Sequence, residues 1–312
     1  MPQIPSTCLT TAGRLEVVRT AGKVALVLSA DAKGSFIGIF DVGNNECFSW
    51  PATPLQFNEK GYVGSVLASA TKFRDPSAVR VRPGWGGVFW GDDAENLFVV
   101  VVDSGNHMLR QVSQSTTGFS IYPLVGSPPP LTGPPVPGFL DGVGTNSRFR
   151  LPRDALFLDK DRLLVADSGN HALRLVTFST PQTAGEWRVT TVVGTMGTQG
   201  QADGNAGSAT LNTPVSLARA SAILVLIADS GNNKIRAYNL ASGKVYTLAG
   251  QGTAGYRDGA GVTALFTSPR SISMLQDDTA AVVDRSQTVD GRGLIRLVDV
   301  IPNKPQPLNS KP

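Results

Sequence analysis

One ten-residue phrase occurs three times in this chain, and it decides what kind of fold is available. Val101-Val102-Asp103-Ser104-Gly105-Asn106-His107-Met108-Leu109-Arg110 returns as Val165-Ala166-Asp167-Ser168-Gly169-Asn170-His171-Ala172-Leu173-Arg174 and as Ile227-Ala228-Asp229-Ser230-Gly231-Asn232-Asn233-Lys234-Ile235-Arg236. A weaker copy is Val283-Asp284-Arg285, where an insertion through Gly293 delays the matching Leu294-Ile295-Arg296. A degenerate one is Val27-Leu28-Ser29-Ala30-Asp31-Ala32-Lys33-Gly34. The repeated aspartates, Asp31, Asp103, Asp167, Asp229 and Asp284, follow one another at similar intervals along the whole chain. Repetition of this kind means like supersecondary units packed on their neighbours, because one unit cannot bury its apolar faces alone.

Two other landmarks keep phase with the phrase. Pro152, Pro214 and Pro269 stand at one and the same offset before Asp167, Asp229 and Asp284, while Pro76 stands farther ahead of Asp103, which marks an insertion in the second unit. The Asp-Gly pairs that begin at Asp141, Asp203 and Asp258 precede the same three prolines, again at a single fixed offset. Within a unit, short apolar runs such as Asp154-Ala155-Leu156-Phe157-Leu158, Leu163-Leu164-Val165-Ala166, Leu173-Arg174-Leu175-Val176 and Val189-Thr190-Thr191-Val192-Val193 read as four strands. Ser-Gly-Asn supplies a tight turn between the second and third. The 34 Gly and 21 Pro suit a chain with this many turns.

The expected fold is therefore all-β: a β-propeller of five four-stranded blades, in units of about 14–58, 70–126, 147–194, 208–250 and 263–301. After Val300 the chain meets Pro302, Pro305 and Pro307, so the last unit lacks a fourth strand. Thr7-Cys8-Leu9-Thr10-Thr11-Ala12-Gly13 looks like the fourth-strand sequence Val245-Tyr246-Thr247-Leu248-Ala249-Gly250. Residues 5–13 are expected to complete the last blade and close a monomeric ring within a single domain, 1–301, followed by a Pro-rich tail, 302–312.

These residues resemble the NHL-repeat family of β-propellers, whose blades carry an apolar run, Asp-x-x-Asn, a basic or His position and an apolar-Arg pair. The Asp141-Gly142-Val143-Gly144 stretch before Phe149 and Pro152 is similar to the family as well. The resemblance spans nearly the whole chain and is weakest in unit one, where Gly38 stands in place of Arg. It implies a fold and no single activity, since propellers host enzymes, nucleic-acid readers and scaffolds alike.

The longest aliphatic and aromatic run, Ala222 to Ala228, is far shorter than the roughly 20 residues that cross a bilayer, so no membrane span is expected. Met1-Pro2-Gln3-Ile4-Pro5 lacks the look of a secretory signal, and Cys8 and Cys47 make no disulfide framework or zinc spacing. A soluble, cytoplasmic protein is expected. Its formal charge of +4 is spread too thinly to name a partner.

Asp103, Asp167, Asp229 and Asp284, with Asn106, Asn170 and Asn232 and with Arg110, Arg174, Arg236 and Arg296, could suggest metal or phosphate chemistry. Recurrence at one register in each unit favours a structural role instead: carboxylates that fix the turn, and arginines that pair with them or pack their stems between blades. His107 and His171 share a position that Asn233 fills in the next unit, which argues against a catalytic base. Two such histidines cannot supply three convergent zinc ligands. No catalytic residue, metal or cofactor is assigned.

Departures from the repeat carry the functional reading. The insertion in unit two places Trp85, Phe89 and Trp90 on a Gly-rich loop, either as interface anchors for a protein partner or folded back to cap an apolar surface of their own blade. Ser127 to Pro137 is a Pro-rich connection between blades. A non-enzymatic protein-interaction scaffold is expected. The alternative is a single-stranded RNA reader using Lys60, Lys72, Arg74, Arg148, Arg150 and Arg153, and a second alternative is a metal-dependent hydrolase or lyase working in the central funnel.

Overall fold

A computed structural model describes residues 12–20, 23–30, 37–41, 46–50, 73–83, 98–115, 118–129, 134–178, 187–195, 197–275, 278–285 and 294–300, with side chains from residue 73 onward apart from 113–120. An N-terminal antiparallel sheet comprises β1 (Ala12–Thr20), β2 (Lys23–Ala30), β3 (Ile37–Asp41) and β4 (Glu46–Trp50) in that order. The first blade is β5 (Pro76–Val81), β6 (Phe98–Asp103), β7 (Met108–Ser115) and β8 (Gly118–Val125). The second contains β9 (Gly142–Val143), β10 (Pro152–Phe157), β11 (Arg162–Asp167), β12 (Ala172–Phe178) and β13 (Trp187–Val193), ordered β10-β11-β12-β13-β9. The third contains β14 (Gly204–Asn205), β15 (Pro214–Arg219), β16 (Leu224–Asp229), β17 (Lys234–Asn239) and β18 (Lys244–Ala249), with β14 again on the outer edge. The fourth is β19 (Ser271–Met274), β20 (Thr279–Asp284) and β21 (Leu294–Asp299). The fold is an all-β propeller.

The expectation of five four-stranded blades is corrected to four blades of three to five strands. The Asp-Gly stretch, which in sequence serves only as a landmark of phase, adds a two-residue strand to two blades: Val143 pairs with Arg188, and Gly204 with Val245. Two residues are too few to show any periodicity in sequence. The N-terminal strand does not complete the last blade as far as it is described. From Ala12↔Ala30 to Thr20↔Lys23 it pairs with β2, with two residues between the strands. A hairpin of that kind closes at far lower entropic cost than a pairing between the two ends of the chain. Residues 5–11 of that expectation, and the tail 302–312, lie outside the described residues.

The innermost strands β5, β10, β15 and β19 pack in succession, and β1 and β2 pack on β5. The facing surfaces of adjacent blades are apolar because each covers the other. Leu164, Ala166 and Leu173 of the second blade meet Leu217, Val225 and Ile227 of the third. Leu226, Ala228 and Ile235 of the third meet Ile272, Ala280 and Val282 of the fourth. Each such Leu or Ile contributes about 1.5–3 kcal/mol on full burial. On the forward face of the fourth blade, Val283, Ile295 and Leu297 are exposed, although the register places them where Ala228, Ile235 and Ala237 are buried in the third. Hydrogen exchange is therefore expected to be faster at the amides paired between β20 and β21 than at those between β11 and β12; equal protection would contradict this ranking. Among the described residues, no helix is long and apolar enough to cross a membrane.

Candidate functional site

The repeated polar residues form a buried stack in each blade, starting from the aspartate that ends the second strand. Asp167, fully buried, accepts the N–H of Arg150 at 2.8 Å, the Nδ2 of Asn170 at 2.8 Å and the Nη1 of Arg174 at 2.9 Å. Asp229 does the same with Asn212 N–H at 2.7 Å, Asn232 at 2.7 Å and Arg236 at 3.0 Å. Asp103 accepts Arg74 N–H at 2.7 Å and Asn106 at 2.8 Å, and pairs with Arg110 at 2.7 Å. In the fourth blade Asp284 accepts Thr267 N–H at 2.9 Å, while Arg296 stands at 3.6 Å. The backbone donors precede the first strand of the same blade, so each aspartate ties that strand's approach to the second-strand turn.

Asp-Gly proves to be the other half of this stack. Arg174 donates Nη2 to Asp141 at 2.6 Å, Arg236 to Asp203 at 2.6 Å and Arg296 to Asp258 at 2.7 Å. Asp141 also accepts the N–H and Oγ1 of Thr191 at 2.9 and 3.0 Å, and Asp203 those of Thr247 at 3.0 and 3.0 Å. Both threonine amides can turn to these carboxylates because the strand register slips beside Arg174 and Arg236. In the first blade, Pro123 pairs with Arg110 at the matching register and brings no N–H. Aromatic rings close the stack: Arg174 lies 4.6 Å from Phe139 and 5.1 Å from Phe149, and Arg110 lies 4.9 Å from Phe73.

Electrostatics separate the two carboxylates that share an arginine. Burial pushes Asp167 and Asp229 up to about 6 against the pull of their hydrogen bonds and arginines. Desolvation also raises Asp103 and Asp284. At Asp141, which is half exposed, burial also pushes upward, but the Thr191 N–H and hydroxyl and Arg174 together outweigh it and hold the carboxyl below the usual range.

Between blades lies a second set of contacts. His107, His171 and Asn233, the residues after Ser-Gly-Asn, are left-handed with φ of 58°, 57° and 53°. His107 Nδ1 accepts the N–H of Leu151 at 3.1 Å, His171 Nδ1 that of Thr213 at 3.0 Å, and Asn233 Oδ1 that of Ser268 at 2.9 Å. Leu151, Thr213 and Ser268 each stand before the proline that opens the next blade, and each is left-handed too, with φ of 47°, 53° and 55°. Left-handed backbone costs a non-glycine residue about 1–2 kcal/mol, and the position before proline ordinarily favours extended backbone. One hydrogen bond of about 1 kcal/mol offsets part of that cost at each joint.

On the opposite side of the blades, Arg82 forms the root of the insertion. It is buried, donates Nε to the Lys160 carbonyl at 2.5 Å and Nη2 to Asp161 at 2.9 Å, and lies 5.2 and 5.1 Å from the rings of Phe98 and Phe178. Trp187 packs edge-on to Phe178 at 3.9 Å. Trp85, Phe89 and Trp90 lie outside the described residues, as do Lys60 and Lys72. Arg150 and Arg153 are exposed, while Arg148 donates to the carbonyls of Thr145 and Ser147. Among the described residues, no group of three or more His, Cys, Asp or Glu is placed to hold a metal ion. Sequence reasoning missed Asp141, Asp203 and Asp258 as ion-pair partners, and gave no role to Arg82, the first residue of the insertion. The signal for the first three was their fixed offset from the prolines.

No family model and no curated protein matches the chain. Solved structures do. An auxiliary nutrient binding protein from Bacteroides ovatus is 17% identical, with a TM-score of 0.53 over 85% of this chain and 55% of its own. A protein of unknown function from Bacteroides thetaiotaomicron is 15% identical, with a TM-score of 0.55 over 88% of this chain and 56% of its own. An auxiliary nutrient binding protein from the same species is 14% identical, with a TM-score of 0.54 over 92% of this chain and 68% of its own. The chain thus spans little more than half the length of the first two. At these identities the likeness is one of fold, and together with the successive antiparallel sheets it identifies the chain as a β-propeller.

Proposed function

We propose that this chain is a non-enzymatic interaction scaffold of NHL-repeat type, which offers a protein partner the loop between β5 and β6. The observation that carries the reading is the anchorage of Arg82. Its Nε and Nη2 bonds cross to the second blade, and the guanidinium lies over the rings of Phe98 and Phe178. A loop rooted in this way loses less conformational entropy when a partner orders it. The repeated Asp, Asn and Arg direct their bonds to the blades themselves, which leaves recognition to the parts that depart from the repeat.

The test compares the full chain with a variant lacking residues 84–91, both immobilised and shown to melt alike, and identifies what each retains. At least one protein should be held by the full chain and lost from the variant. An identical set on both would overturn the reading. Retention abolished by nuclease and by raised salt would turn it toward single-stranded RNA, for which exposed Arg150, beside the Ser-Gly-Asn turn of the second blade, and exposed Arg153 are the favouring observation.

A further inference from the structure

The joints between blades are alike in geometry and unlike in chemistry. At each, a left-handed residue accepts the N–H of a left-handed residue before proline. A backbone N–H can only donate, so the accepting Nδ1 of His107 and His171 carries no proton while the bond exists. Asn233, which performs the same task one joint later, has no proton to gain in the physiological range.

Each of the two histidine joints has an arginine at the other end of the same interface. Arg82 bridges the first and second blades through Lys160 and Asp161. Arg219 bridges the second and third through the Leu158 carbonyl. Guanidinium groups stay charged at any pH of interest, so these contacts persist where an imidazole would titrate.

We propose that the first–second and second–third interfaces are acid-operated hinges, which open at the Ser-Gly-Asn side when His107 and His171 take up a proton on Nδ1 and pivot about Arg82 and Arg219. The third–fourth interface, joined by Asn233, stays shut. Charged groups that bear on His107 are Arg74, on the approach to β5, and Arg150, on the approach to β10; Arg150 bears on His171 as well. The Ser104 carbonyl favours the imidazolium of His107 and is the one opposing influence there.

Burial first, and then these arginines, lower both histidines below 6.5. The sign follows: the contribution of the joints is complete above pH 6.5 and is lost as pH falls through the lower folded-state value. Asp167 and Asp229 act oppositely, since their raised values near 6 favour the folded chain on acidification between about 6 and the ordinary 3.8. Global stability mixes the two, so the readout has to be local.

Amide hydrogen exchange of the full chain, corrected for the intrinsic rate, supplies it. Between about pH 7.5 and about pH 5, protection of the Leu151 and Thr213 amides should fall on the order of tenfold for each unit by which pH drops below the histidine value. Ser268, in the same molecule, should not change. In the variant His107→Asn/His171→Asn all three should be insensitive, because Asn already fills this position in the third blade. Parallel behaviour of Leu151, Thr213 and Ser268 in the unaltered chain overturns the proposal. So does an acid response that survives in the double variant.

Discussion

Arg174→Met is expected to cost about 3–5 kcal/mol of stability, the usual penalty for stranding a buried charge. The arginine is fully buried and faces Asp167, also fully buried, and Asp141 at the blade edge. Removing it leaves Asp167 buried with only the Arg150 N–H and Asn170 as partners, so its carboxyl, already raised to about 6 by burial, is pushed higher and either stays charged at a penalty or takes up a proton. Urea denaturation measures the loss. Adding Asp167→Asn should recover part of it, since the amide oxygen still accepts the Arg150 N–H and the side chain brings no charge. Arg296→Met should cost distinctly less: Asp284 stands 3.6 Å away, and Asp258 is 79% exposed and therefore hydrated without help. Equal losses at the two arginines would show that the ionic stack is not what the blade depends on.

Gly169→Ala is expected to destabilise by about 1–3 kcal/mol, as overpacking does in a rigid setting. A Cβ at Gly169 would lie 2.6 Å from the Arg150 carbonyl oxygen, and the Gly169 N–H already bonds that oxygen at 2.8 Å. Backbone has to move, and the movement reaches Asp167 through Arg150. Gly231 occupies the same place in the third blade, but its Cβ would meet the amide end of the Asn212 side chain at 2.5–2.7 Å. A side-chain end can rotate away, so Gly231→Ala should cost under about 1 kcal/mol, and less still with Asn212→Ser. Thermal melts of the two single variants decide the point, and a Gly231→Ala as damaging as Gly169→Ala would refute the distinction.

Much of the architecture could be read because the decapeptide places an apolar strand, a turn and an apolar strand at known distances. Ser-Gly-Asn did mark the turn, and the prolines did mark the first strands at Pro76, Pro152 and Pro214. Strand counts were less legible. The short β9 and β14 follow from Asp141 and Asp203 reaching across to Thr191 and Thr247, and pairing between positions so far apart in the chain leaves no periodic trace. The second partners of the arginines, Asp141, Asp203 and Asp258, were hidden likewise, since a sequence shows that a carboxylate recurs but not which guanidinium it meets. His107 and His171 looked tolerant of Asn and hence inert. What His and Asn share is an acceptor atom on a side chain that accepts left-handed backbone, and only the neighbouring blade reveals that the acceptor is used.

Contacts across the joints run forward, from one blade to the opening strand of the next. Ser168 bonds the Pro214 carbonyl and Ser230 meets Ser268; Asp154 accepts Leu217 N–H at 2.8 Å and Ser216 accepts Ile272 N–H at 3.2 Å. Each unit therefore presents to its successor the kind of group its predecessor presented to it. An in-frame duplication of the stretch from Asp141 to Ala202 would bring a complete set of these groups with it. Blade number in a chain of this kind is a quantity that recombination can alter in a single event, without any new contact having to evolve.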